Sequence, residues 1–199
     1  WHSAAVVQDL IDHLPSSSLL VLDEAYIDLA PSGTALDLRP ETDNVIRLRT
    51  FSKAYGMAGA RVGYAIGPKS LISAFDKLRN HFGLSRISQA GALAALKDQA
   101  YVDGIKQKVA KSRETLAQIA QDNGLIALPS ATNFVTIDCG RDGDFARAVL
   151  EQMIARALFI RMPFVAPMNR CIRISCGDEA AMDLVAKALP EALKAARSA

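Results

Sequence analysis

"RLRTFSKAYGMAGARVGYAIG", residues 47–67, decides how the rest of the chain is read. It begins inside "VIRLRT", residues 45–50, whose alternation predicts a strand. Thr50, Ser52 and Lys53 stand at the strand's end, and Gly56, Gly59 and Gly63 follow with Arg61 among them. Hydroxyls, a guanidinium and small residues in a tight turn suit a phosphate monoester. The hydroxyls donate hydrogen bonds, the glycines let backbone come close, and Arg61 offers a planar fork to two phosphate oxygens. A P-loop also cradles phosphate, but it needs its lysine directly after the glycines, as G-x-x-x-x-G-K-[ST]. Here Lys53 precedes the glycines and no lysine follows them in the segment. The P-loop pattern fails, and Lys53 is left for a task other than holding phosphate.

The partner stretch is "SLLVLDEAYIDLA", residues 18–30. The apolar run Leu19–Leu22 predicts a buried strand that ends on Asp23 and Glu24. Open α/β sheets bind ligands at the carboxyl ends of their strands, so an acid there is placed to meet one. Alone, the stretch suits a magnesium-holding acid of a nucleotide hydrolase as well as an acid facing an aromatic cofactor. The lysine-then-glycine order of residues 52–61 favours the second reading; the first requires a P-loop that this chain lacks. Pyridoxal 5'-phosphate (PLP) has four needs: a lysine for its aldehyde, an acid for its pyridine nitrogen, a donor for its ring oxygen and donors for its phosphate. Lys53, Asp23, Tyr26 and the set Thr50, Ser52 and Arg61 can fill them in that order. Glu24 is expected to be solvated or paired with a neighbour, and Tyr55 and Tyr64 to be packing residues.

"DEAY" together with "TFSKAYGMAGARVGY" resembles the histidinol-phosphate aminotransferases, a group of PLP-dependent aminotransferases. The resemblance implies Lys53 as the Schiff-base lysine, Asp23 at the pyridine nitrogen, Tyr26 at the ring oxygen, and Thr50, Ser52 and Arg61 at the phosphate. It implies a type I PLP-dependent aminotransferase fold of the α/β class, with part of a large mixed-sheet PLP domain followed by a small C-terminal α/β domain. "LFIRM" and "CIRISCG" are similar to the family's two arginine-bearing segments. Arg173 is thereby implied for the substrate's carboxylate or phosphate, and Arg161 for its acidic end. The implied reaction moves an amino group between an amino donor, such as histidinol phosphate or a related amine or amino acid, and a 2-oxo acid such as 2-oxoglutarate. The implied assembly is a homodimer. Aromatic aminotransferases and threonine-phosphate decarboxylases share the fold and stand as alternatives. "RNHFGLSRISQ", residues 79–89, departs from the Pro-Phe-Asn-Val stretch of the histidinol-phosphate enzymes, so the resemblance carries the cofactor further than the substrate. "WHSAAVVQDLIDHL" is similar to the helix that follows the family's "NPNNPTG" segment. With no initiator Met, the chain is expected to be the C-terminal portion of a longer protein.

The bulk properties agree with an ordinary globular chain. Of 199 residues, 50% are apolar and 22% charged, and a net charge of +2 gives no nucleic-acid surface. No apolar run reaches membrane-spanning length and no secretory signal pattern opens the sequence, so the expected location is the cytoplasm. Cys139, Cys171 and Cys176 have no histidine near them and are expected to be buried reduced thiols, with no metal site. The expected organisation is residues 1–98 from the large domain, a connecting helix over 99–124, and a small domain over 125–199. Helices are expected over 2–14, 68–78, 85–98 (Ala-rich and buried), 100–123, 144–157 and 178–199. Strands are expected over 19–23, 45–50, 62–66, 125–129, 133–140, 158–162 and 171–177.

Overall fold

A computed structural model describes residues 1–37 and 39–198. The chain divides into two units, Trp1–Lys106 and Gln107–Ala199.

In the first unit, helix α1 (Ala4–Asp12) starts on Ser3, whose hydroxyl accepts from the Val6 N–H at 3.4 Å. Strands β1 (Leu20–Asp23) and β2 (Val45–Thr50) pair in parallel, and β3 (Gly63–Ile66) runs antiparallel to β2. The carboxyl ends of β1 and β2 and the start of β3 therefore share one edge of the sheet. Register fixes the faces, because side chains alternate along a strand. Asp23 pairs with Leu48, so both point to one face together with Thr50. Leu22 pairs with Arg47 and Tyr64 with Arg49, which puts these residues on the other face. Glycine is required at both ends of β3. A Cβ at Gly63 would lie 2.8 Å from the Arg49 carbonyl oxygen, and one at Gly67 2.8 Å from that of Val45.

The helical stretches after β3 differ from expectation in two ways. The expected helix over 68–78 is one α-helical turn, α2 (Lys69–Ile72), followed by 3₁₀ turns over Ser73–Lys77. The Ser73 hydroxyl donates to the Ser70 carbonyl at 3.2 Å, a local bond that suits the tighter winding. Helix α3 (Arg86–Lys97) forms where expected, capped by Ser85, but it is not a buried helix. Only Ala92 is buried, packed with Phe51 and Val62, while Ile87 is 86% exposed. Its small residues give one narrow stripe a partner and leave the rest outside.

Helix α4 (Gln99–Asp122) contains the point at which the two units divide. It stops at Asn123-Gly124 as the sequence predicts. Gly124 has φ +70°, and the Leu125 N–H returns to the Ala120 carbonyl at 2.9 Å.

The second unit has an antiparallel sheet in the order β4 (Ile126–Ala127), β5 (Phe134–Asp138), β6 (Cys171–Ser175). Helices α5 (Gly143–Ala155) and α6 (Glu179–Ser198) accompany it. Val135, Ile137, Ile172 and Ile174 from the sheet form one buried core with Val149, Met153, Leu189 and Leu193 from the helices. The expected strand over 158–162 is reduced to a single bridge, Arg161 with Arg173. Its alternation is real, since Ile160 and Met162 are buried in the core. It cannot extend, because Ala157 on one side takes a left-handed φ of 61° and Pro163 on the other has no N–H to donate. Among the described residues no helix is long and apolar enough to cross a membrane.

Candidate active site

The six first-unit residues expected to serve a cofactor all lie at the shared edge of the sheet. Asp23 ends β1, and its Oδ1 accepts from the Ala25 N–H at 3.0 Å, turning the chain into the loop that carries Tyr26. Lys53 comes to the same place from β2: its Nζ lies 5.2 Å from the centroid of the Tyr26 ring. The lysine sits on a well-braced turn. Phe51 and Ala54 on either side of it are buried, and the Met57 N–H donates to the Phe51 carbonyl at 2.9 Å. The Phe51 ring packs on Tyr55 at 4.7 Å and on Tyr64 at 5.8 Å, so both tyrosines are packing residues as expected.

The phosphate set is placed less uniformly. The Thr50 hydroxyl accepts from the Ser52 N–H at 3.1 Å and donates to the Val62 carbonyl at 3.3 Å, so it shapes the turn from within. Arg61 has φ 54° and ψ 47°, left-handed backbone in a residue with a Cβ. That conformation costs about 1–2 kcal/mol, and strain of this kind collects at ligand sites. Its guanidinium donates to the Ala58 carbonyl at 2.9 Å and is exposed.

Beneath this edge lies a buried charged group centred on Glu24, whose sequence context is equally compatible with a solvated side chain. Glu24 follows Asp23 but points to the opposite face, where it is buried and paired. Arg47 Nε donates to its Oε1 at 2.9 Å, with Arg47 Nη2 2.7 Å from the same oxygen, and Arg49 Nε donates to its Oε2 at 2.9 Å. The signal was present as two arginines two apart in "VIRLRT", but their partner lies 23 to 25 residues away. Burial opposes the charge on Arg49, yet the bond and charge of Glu24, with help from Tyr64, leave its pKa raised. Nearby, burial lifts Asp28 above the ordinary carboxylate range, against the charges of Arg49 and Lys106. Burial and then the Asp28 charge raise Tyr55.

In the second unit, Arg161 and Arg173 are side by side. The Arg161 N–H donates to the Arg173 carbonyl at 3.0 Å, and the Arg173 N–H to that of Arg161 at 2.6 Å. The Arg173 guanidinium lies 4.6 Å from the Phe134 ring centroid and that of Arg161 5.8 Å from Phe159. Neither forms a salt bridge among the described residues. Among the described residues an aromatic face, not a carboxylate, lies against the Arg173 guanidinium. The three cysteines are free, and burial pushes the Cys139 thiol up to about 12. No group of metal-binding side chains occurs among the described residues.

Comparison with known proteins accords with this layout. The family model of aminotransferase class I and II matches residues 3–189. The chain is 51% identical to histidinol-phosphate aminotransferase from Sinorhizobium meliloti, solved in complex with pyridoxal-5'-phosphate. That match has a TM-score of 0.93 and covers 98% of this chain and 54% of the other. It is 38% identical over 191 residues to histidinol-phosphate aminotransferase of Geobacter sp. (strain M21), covering 96% of this chain and 53% of that protein. It is 39% identical over 170 residues to histidinol-phosphate aminotransferase of Bacillus pumilus, covering 84% and 46%. The chain thus spans about half the length of the relatives it matches. Nothing among them supports the nucleotide-hydrolase reading of residues 18–30. The mixed helix and sheet of both units is the α/β arrangement of the solved aminotransferases, and the chain belongs to the aminotransferase class I and II family.

Proposed function

We propose that this chain forms part of a PLP-dependent aminotransferase acting on a phosphorylated or carboxylated amine of the histidinol-phosphate type, with a 2-oxo acid such as 2-oxoglutarate as acceptor. The observation that carries the reading is the meeting of Lys53 with the Tyr26 ring at the strand edge that also bears Asp23. The donor set fits the cofactor: one amine, one carboxylate, one phenol, and hydroxyl and guanidinium donors beside small residues. When bound, PLP supplies a protonated ring that accepts the electron pair left when the substrate's α-carbon loses its proton.

Lys53 would hold the cofactor covalently through its amine and, once released by the incoming substrate amine, take the proton from the α-carbon as general base. Asp23 would hold the proton on the pyridine nitrogen; a charge-assisted bond of that kind contributes roughly 1.5–3 kcal/mol. Tyr26 would donate to the ring oxygen. Ser52 and Arg61 would bind the phosphate, with Thr50 acting through the turn it braces. Arg161 and Arg173 would bind the substrate's anionic end, their paired charge being suited to a carboxylate or a phosphate. The working unit would be a homodimer, like that implied by the sequence resemblance. The relatives' names support histidinol phosphate as donor, and the paired arginines support an anionic end on the substrate.

The test is Lys53→Ala in the polypeptide that carries this chain. The variant should lose the visible-edge absorbance of bound PLP and nearly all turnover, and full activity would remove the basis of the mechanism. Measuring 2-oxoglutarate consumption with histidinol phosphate as donor, against carbon dioxide release from threonine phosphate, separates transamination from decarboxylation.

A further inference from the structure

Asp23 must be held still to serve a ring nitrogen, yet it ends a strand, and among the described residues its side chain bonds to the start of the next loop. We propose that Glu24, gripped by Arg47 and Arg49, is the positioning residue that sets Asp23 against the cofactor ring; this rests on the role of Asp23 given above. Consecutive strand residues point to opposite faces. The Glu24 side chain can therefore lock the backbone from below while Asp23 stays available above.

The lock is complete at three levels. The Glu24 N–H donates to the Leu48 carbonyl at 2.8 Å, and its own carbonyl accepts from the Ile27 N–H at 3.0 Å, one residue past Tyr26. Both carboxylate oxygens are engaged, each by a different arginine of β2. Arg47 is anchored in turn, donating to the carbonyls of Asp37 and Leu36, each at 3.3 Å. The three side chains are only 6%, 9% and 13% exposed for Arg47, Glu24 and Arg49.

A buried ion cluster is weak evidence for stability, because well-packed apolar residues often serve a fold as well or better. What such a cluster does supply is direction. Two forks and a carboxylate admit few arrangements, and here they register the end of β1 against β2, the strand that delivers Lys53.

The test is a double-mutant cycle on the PLP dissociation constant, read by absorbance on the intact polypeptide and independent of turnover. Glu24→Gln and Asp23→Asn should each weaken PLP binding by about tenfold, and the double variant should bind no more weakly than Asp23→Asn alone. Simple addition of the two losses, or unchanged PLP binding in a folded Glu24→Gln protein, would overturn the proposal. Arg49→Lys keeps the charge but loses the fork. It should repeat the pattern, loss of PLP affinity that vanishes in the Asp23→Asn background, and so covers the case in which Glu24→Gln fails to fold. Failure of the unmodified protein to bind PLP would instead overturn the functional reading itself, and the positioning role with it.

Discussion

At the scale of single residues, the side chains gathered at the strand ends carry the proposal. Arg61 is the sharpest case. A Gly there would relieve the left-handed strain, so Arg61→Gly should raise unfolding stability by about 1 kcal/mol in a denaturant titration of the apo protein. The same variant should weaken PLP binding, because the guanidinium goes with it. Stability rising while affinity falls is the mark of strain retained for a ligand. Cys139 makes the opposite point, as a residue that packs and does not react. Its thiol is pushed up to about 12, against an ordinary value near 9, chiefly by burial. The unfolded chain releases that proton near pH 9 and the folded chain does not. Stability from this group is therefore full below pH 9 and falls as the pH rises from there toward 12. Alkylation at pH 8 should label Cys139 only under unfolding conditions. Lys53, Asp23 and Tyr26 were legible in the sequence because their chemistry and their spacing coincide. Glu24 was not, because its partners sit on another strand and only the parallel register of β1 and β2 brings them in.

At the scale of elements, the edge where β1, β2 and β3 share an end depends on the close β2–β3 pairing. Gly63 touches the Arg49 carbonyl from β3, so Gly63→Ala must push the strands apart or distort the turn that follows Thr50. It should lower stability by about 1–3 kcal/mol, seen as an earlier midpoint in urea, and loosen PLP binding with it. Gly59, with open space where a Cβ would go, is the control: Gly59→Ala should leave the strand pairing unaffected. Periodicity found nearly all of the helices and strands, and it failed where it could not see a boundary condition. The alternation in 158–162 is correct as burial and wrong as a strand, because a left-handed Ala157 and Pro163 bound it. Composition suggested a buried α3, but alanines pack only where a partner exists, and Phe51 and Val62 reach only one stripe.

At the scale of the whole molecule, the chain separates into two units. The second unit assembles one continuous core from a three-stranded sheet and helices α5 and α6. In the first unit a small buried cluster of Phe51, Val62 and Ala92 lies beside the lysine turn, and Leu29, Val45 and Ile46 are buried as well. The two units were legible as a change of style along the sequence, from a glycine-rich segment with long helices to short strands between helices. The division falls inside helix α4, within the stretch expected to connect the two units and two residues past Gly104. The functional claim rests on the first unit, and one chemical mapping tests it directly. The polypeptide carrying this chain is loaded with PLP, reduced with borohydride to fix the cofactor to the amine that holds it, digested with trypsin and analysed by mass spectrometry. A phosphopyridoxyl group is expected on Lys53, within an uncut peptide running from Thr50 to Arg61, since a modified lysine resists cleavage. A protein that takes up no cofactor, or carries it on any other lysine, would overturn the role given to Lys53.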